Sequence, residues 1–273
     1  MKFLKLLFAF YLNASIHVAL STYSMLRITE IYFDFPYNEN LNYFIFFGTI
    51  TGYNFVKFAG VAKLHHQSLT NSLKVIQIFS FFSFLALCYY LFQVKLKTLY
   101  ATIPFILLTV LYAVPFLSGF HKTLRQVSYL KIVIVALVWA GFTVLIPVVD
   151  VGREIGIDVI LLMIQRFLIV MALILPFDIR DIKYDAVSLH TIPKKIGVEN
   201  TKRLGLLLMI IALVLEYLIS VSSSIKTPFM LFFFLIVLFL MRAKTAQSKY
   251  YSSFGVESLP IVWWLILLGF HNF

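Results

Sequence analysis

Leu161–Asp185 reads LLMIQRFLIVMALILPFDIRDIKYD. Its first part is almost purely apolar, and a helix needs about 20 such residues to cross a bilayer core. Its last part, FDIRDIKYD (177–185), places three acidic residues, Asp178, Asp181 and Asp185, in a chain that has only 12 against 23 Lys and Arg. The apolar part sets the fold class, and the acidic part sets the question of function.

Composition extends the first reading to the whole chain. Of 273 residues 61% are apolar and 13% charged, with mean hydropathy +0.93. A soluble domain carries about 25% charged residues, so this chain could not wet its own surface. The formal charge of +11 does not indicate nucleic acid, because the basic residues sit in short breaks between apolar runs and read as membrane-flanking charges. Cys88, the single cysteine, lies mid-run in LALCYYL. Neither a disulfide framework nor a thiolate metal site is available.

The pattern predicts an all-α polytopic membrane protein, one domain over 1–273, with nine spans at roughly 3–25, 41–62, 75–94, 98–118, 130–149, 157–177, 204–221, 227–241 and 256–271. The eighth is the shortest, enclosed by Lys226 and Arg242. The first is interrupted by Asn13, Ser15 and His17 and runs too long for a signal peptide's apolar region. With nine spans and the N-terminus in the cytoplasm, only Arg27, Lys95, Lys97, Arg153 and Lys226 fall in outer segments and Arg166 within a span. All other Lys and Arg fall inside, as the positive-inside rule requires. The C-terminus is then outside.

On this topology the acidic motif closes span six on the cytoplasmic side. Asp178, Asp181 and Asp185 have i, i+3, i+7 spacing, which puts them within about 60° on one helix face, with Arg180 and Lys183 opposite. Two readings fit: a solvated acidic helix end, or oxygen ligands for Mg²⁺, which takes one or two carboxylates plus phosphate oxygens and water. On the second, Asp181 should matter more for ligand binding than Arg180 on the far face.

FDIRDIKYD, followed by Thr191-Ile192-Pro193 and Gly197, resembles the second aspartate-rich motif of the UbiA family of intramembrane prenyltransferases, DxxDxxxD then TxP and Gly. Its place between spans six and seven also matches. The resemblance covers the architecture of the whole chain and the motif over about 177–200. It implies helices around a central cavity open to the membrane. It also implies Mg²⁺-dependent transfer of an isoprenyl group from a prenyl diphosphate to a small or lipid acceptor. Asp178, Asp181 and Asp185 would hold the metal, and Lys194 and Lys195 would contact phosphate. His190 stands near where the family often has Lys or Arg. A bacterial inner membrane is the implied location, and no catalytic residue is assigned.

The first family motif, roughly NDxxDxxxD at the end of span two, is degenerate. Asn54 is kept, whereas Phe55, Phe58 and Ala62 replace the aspartates, and Lys57 and Lys63 add positive charge. Two expectations follow. Either Mg²⁺ remains on the second motif while Asn54 and Lys57 help bind the diphosphate, or the fold survives as a non-catalytic or transport-like isoprenoid-binding protein. The absence of internal repeats disfavours transport. His65-His66 read as a polar loop. Arg166 and Glu216, at matched depth, are expected to form an ion pair, since a charge in a bilayer needs a partner or a cavity.

Overall fold

The computed structural model describes residues 2–58, 71–113, 129–183, 191–220 and 223–271. These form helices and, among the described residues, no strand: α1 (Lys2–Asn13), α2 (Ile16–Tyr32), α3 (Glu39–Phe58), α4 (Asn71–Leu91), α5 (Leu96–Ala113), α6 (Leu130–Ala140), α7 (Ile146–Val151), α8 (Ile157–Asp181), α9 (Ile192–Ile196), α10 (Val198–Leu218), α11 (Ser223–Arg242) and α12 (Leu259–His271). A π-helical turn, Gly141–Leu145, joins α6 to α7, and another, Tyr251–Val256, leads into α12. Backbone polar groups have no water to bond with inside a bilayer, so helices satisfy them internally.

Six described segments are long and apolar enough to cross a membrane, and the bent pair α1 and α2 makes a seventh if it is one span. The helices α3 and α10, of 20 and 21 residues, have crossing length but carry more polar or charged residues than these. Neighbours pack largely in chain order: α2 on α3, α5 on α6, α6 on α8, α8 on α10, α10 on α11 and α11 on α12. The last helix returns to α2, closing a ring. Around Gly205 of α10 the packing is close enough that a Cβ would overlap Leu240 of α11 and crowd Leu175 of α8. There α10 is wedged between α11 and α8, the helix that carries the acidic motif.

Two expectations need correction. The predicted span 3–25 is not one helix: the chain bends by 55° between α1 and α2, and α2 runs on to Tyr32. Ser15 causes the break, with φ at 63° in the left-handed region that a side chain normally avoids. Asn54 compensates from α3, accepting from Ser15 Oγ at 2.7 Å and donating to the Ala14 carbonyl at 3.1 Å. The eighth span is longer than its flanking charges suggest, because α11 extends over 20 residues.

Arg166 and Glu216 are both buried, yet they form no ion pair within 4.0 Å. Neutral donors reach the carboxylate first: Tyr32 Oη at 2.9 Å and Gln165 Nε2 at 2.7 Å. Arg166 instead lies over the Trp263 ring, 4.9 Å from its centroid, and donates to Thr29 Oγ1 at 3.3 Å. A guanidinium over an aromatic face recovers part of its lost hydration. Its Nε and Nη1 have no hydrogen-bond partner among the described residues.

Candidate functional site

The C-terminal ends of α3 and α8 and the connection after α11 meet at one end of the bundle, hereafter the motif end. Pro176 on α8 sets the arrangement. Its carbonyl accepts from Gln247 Nε2 at 2.9 Å and from Ser252 Oγ at 3.4 Å, which fastens the Tyr251–Val256 turn against α8. On α3, Lys57 donates to Ser15 Oγ at 2.8 Å, so the break between α1 and α2 positions this lysine.

These elements and the end of α1 line an open cavity of about 770 Å³. Its charged lining is Lys57, Arg180, Asp181, Lys183, Lys249 and Glu257, with Phe177 and Leu12 on the apolar side. Four cations therefore face two carboxylates, and an anionic guest is electrostatically favoured.

The predicted site residues are only partly brought together. Asp181 lines the cavity, but Asp178 does not. It is 1% exposed and accepts from Lys131 Nζ of α6 at 2.9 Å. Asp185 lies outside the described residues, as do Ala62, Lys63, His65, His66 and His190. Lys57 lines the cavity. The Asn54 amide is committed to Ser15, Ala14 and Ser80. Lys194 and Lys195 sit on α9 and are not in the cavity lining, Lys195 lying over the Tyr129 ring with its Nζ 5.3 Å from the centroid.

Arg180 departs from the expectation that it turns away from the aspartates. It forks onto the neighbouring Asp181, Nε to Oδ1 at 2.7 Å and Nη2 to Oδ2 at 3.1 Å. Its Nη1 also donates to the Lys249 carbonyl at 3.4 Å. Helical spacing fixes Cβ direction, but an arginine side chain is long enough to curl back. Glu257 was missed altogether, although a signal existed: it is the sole acidic residue after Glu216. Its carboxylate has no cationic nitrogen within 4.0 Å among the described residues.

Residues 68–268 match the model of the UbiA prenyltransferase family. The chain belongs to the UbiA prenyltransferase family. No protein of curated function matches it by sequence. Among solved structures, its fold is similar to one described under the biosynthesis of digeranylgeranylglyceryl phosphate synthase in membranes, with TM-score 0.57, 15% identity and 97% of each chain covered. It is also similar to a UbiA homologue from Archaeoglobus fulgidus bound to GPP and Mg²⁺, with TM-score 0.54, 12% identity and 100% of each chain covered. The same homologue bound to DMAPP and Mg²⁺ gives TM-score 0.53 at 12% identity, covering 100% of this chain and 99% of that one. At these identities the likeness concerns the fold. The UbiA fold and its apolar helices make the chain an integral membrane protein.

A divalent ion implied by the family can be tested against the residues present. Mg²⁺ demands near-octahedral oxygen ligands at about 2.0–2.1 Å. Of the described aspartates, Asp178 is paired with Lys131 and Asp181 has both oxygens held by Arg180. The facing helix offers Lys57, Phe55 and Phe58 instead of carboxylates. Among the described residues no three His, Cys, Asp or Glu side chains converge. The described residues of this donor set, with both aspartates held by cations of the chain, do not by themselves fit a Mg²⁺ centre.

Proposed function

We propose that this UbiA-family protein binds a prenyl diphosphate at the motif end and transfers its isoprenyl group to a small or lipid acceptor. The observation that carries this reading is the cavity of about 770 Å³ whose lining combines Lys57, Arg180, Lys183 and Lys249 with apolar side chains of α1 and α8. A diphosphate needs concentrated positive charge, and an isoprenyl tail needs an apolar exit. In the transfer the C1–O bond of the prenyl diphosphate breaks, and the diphosphate leaves with the electron pair. The acceptor's nucleophilic atom bonds to C1 and releases its proton. Positive charge fixed around the leaving group stabilises the charge that develops there.

Within this reading Lys57 contacts the diphosphate, and Asn54 serves as a positioning residue that holds Ser15 and, through it, Lys57. Lys194 and Lys195 as phosphate partners rest on their closeness in sequence to the motif. Residues 1–273 act as one domain in a bacterial inner membrane, with the motif end and the N-terminus cytoplasmic and the C-terminus outside. Mg²⁺ on Asp178, Asp181 and Asp185 is the second form of the reading, supported by their spacing and by the Mg²⁺ in the Archaeoglobus fulgidus homologue. It requires both described aspartates to release their present partners. A non-catalytic isoprenoid-binding role is favoured by one observation, the loss of every aspartate from the first motif.

The test uses the full chain in lipid nanodiscs with labelled geranyl diphosphate and a panel of phenolic, quinol and glycerophosphate acceptors. Diphosphate release that depends on one acceptor class supports transfer. Binding without release under any acceptor supports the non-catalytic role, and absence of binding refutes both.

A further inference from the structure

We infer that side-chain cations have replaced the family's metal in this chain, so that its cavity binds a diphosphate head group without a divalent ion. The inference rests on the reading of that cavity as a prenyl-diphosphate site, and it concerns how the charge of the guest is balanced.

Three observations converge on it. Each described aspartate of the second motif already has a cation of the chain: Lys131 reaches across from α6 to the buried Asp178, and Arg180 forks Asp181. The first motif has exchanged its carboxylates for Phe55 and Phe58 while acquiring Lys57, whose Nζ is fixed by Ser15. The cavity itself gathers Lys57, Arg180, Lys183 and Lys249 from three separate parts of the chain.

These changes act in the same direction. A divalent ion entering here would meet like charge from Lys57 and Arg180, and to take either described aspartate of the motif it would have to displace that residue's cation, Lys131 from Asp178 or Arg180 from Asp181. An entering diphosphate meets cations already in place. Lysine is a compact point charge suited to phosphate, and arginine offers a bidentate fork. Arg180 can exchange an Asp181 oxygen for a phosphate oxygen without leaving the cavity. Lys131 remains with Asp178, outside it.

Glu257 separates this account from a metal-based one. Its carboxylate faces the cavity with no cation within 4.0 Å among the described residues. In a metal-free site that charge repels the guest, so Glu257→Gln should tighten binding. In a metal site the same carboxylate would help hold the ion, and Glu257→Gln should weaken binding.

The experiment measures geranyl diphosphate and inorganic diphosphate binding to the full chain in nanodiscs, by calorimetry, in EDTA and in millimolar Mg²⁺. Dissociation constants in the two conditions should agree within about threefold. Lys57→Met should weaken binding by about tenfold in EDTA, the loss of one charge-assisted contact. Lys57→Arg should preserve it. The exposed pair Lys183→Ala/Lys249→Ala, which leaves the helix contacts intact, should weaken it as well. Binding lost in EDTA and restored by Mg²⁺, or weakened by Glu257→Gln, overturns this inference and leaves the proposed function standing. Absence of binding in both conditions overturns the proposed function too.

Discussion

Lys131 Nζ lies 2.9 Å from Asp178 Oδ1, an ion pair that joins α6 to α8 at the point where the acidic motif begins. Asp178 is almost fully buried, whereas about a quarter of the Lys131 side chain is exposed, at 28%. The carboxylate therefore depends on the lysine more than the reverse. Removing one member of a fully buried pair costs about 3–5 kcal/mol, and the partial exposure here lowers that to about 2 kcal/mol. Lys131→Ala should lower stability by that amount, and Lys131→Ala/Asp178→Asn should recover part of the loss. Unfolding of the purified protein in detergent would show it, and a double variant whose loss equals the sum of the Lys131→Ala and Asp178→Asn losses would mean that the pair contributes nothing.

Arg180 is predicted to matter more for head-group binding than Asp181. The opposite follows from helical spacing alone, which puts Arg180 on the far face. Since Arg180 curls back to fork Asp181 and faces the cavity, Asp181→Ala releases a cation for the guest, while Arg180→Ala removes it. Calorimetry with inorganic diphosphate should therefore give weaker binding for Arg180→Ala, by about tenfold, and unchanged or tighter binding for Asp181→Ala.

Asn54 is retained from the family pattern, yet here its amide holds a backbone break. Its Oδ1 accepts from Ser15, and its Nδ2 donates to the Ala14 carbonyl and to Ser80 Oγ. A carboxylate can reproduce the first bond, but as an acceptor-only group it cannot donate to the Ala14 carbonyl. Asn54→Asp should thus be destabilising despite its shape, by about 1–3 kcal/mol for the unsatisfied buried groups. A thermal unfolding curve matching the unaltered protein would contradict this role.

Glu216 should couple energetically to Tyr32 and Gln165 more strongly than to Arg166. Its two oxygens are taken by the first two, and the guanidinium lies over Trp263. In double-mutant cycles, Tyr32→Phe with Glu216→Gln should show an interaction of about 1 kcal/mol, with a smaller value for Arg166→Met with Glu216→Gln. A larger coupling through Arg166 would restore the ion pair expected from matched depth.

Orientation is testable in a Cys88→Ser background. Lys244→Cys lies just past α11 on the motif side, and Glu154→Cys lies between α7 and α8 at the opposite end. An impermeant maleimide added to intact cells should label position 154 and spare position 244. The reverse pattern would invert the topology.

The all-helical membrane fold was legible because apolar run length and flanking charge are written residue by residue. Asp178 and Asp181 were legible as a motif, but their partners were not. The Lys131–Asp178 contact joins helices 47 positions apart in the chain, and nothing local encodes it. Asn13, Ser15 and His17 marked an interruption of the first span but not a 55° bend, whose compensation comes from Asn54 on another helix. Arg180 misled because Cβ direction was taken for the direction of a long side chain. Glu257 carries weight only once the turn after α11 folds back onto Pro176.

The most direct test of the central claim is a structure of the protein in nanodiscs with geranyl S-thiolodiphosphate, an analogue with a slowly cleaved C–S bond, in EDTA. The account predicts both phosphates in the motif-end cavity, within hydrogen-bond reach of Lys57 and Arg180, and the isoprenyl chain running toward Phe177 and Leu12. Phosphates held at Lys194 and Lys195 of α9, or a cavity that fills only when Mg²⁺ is supplied, would contradict it.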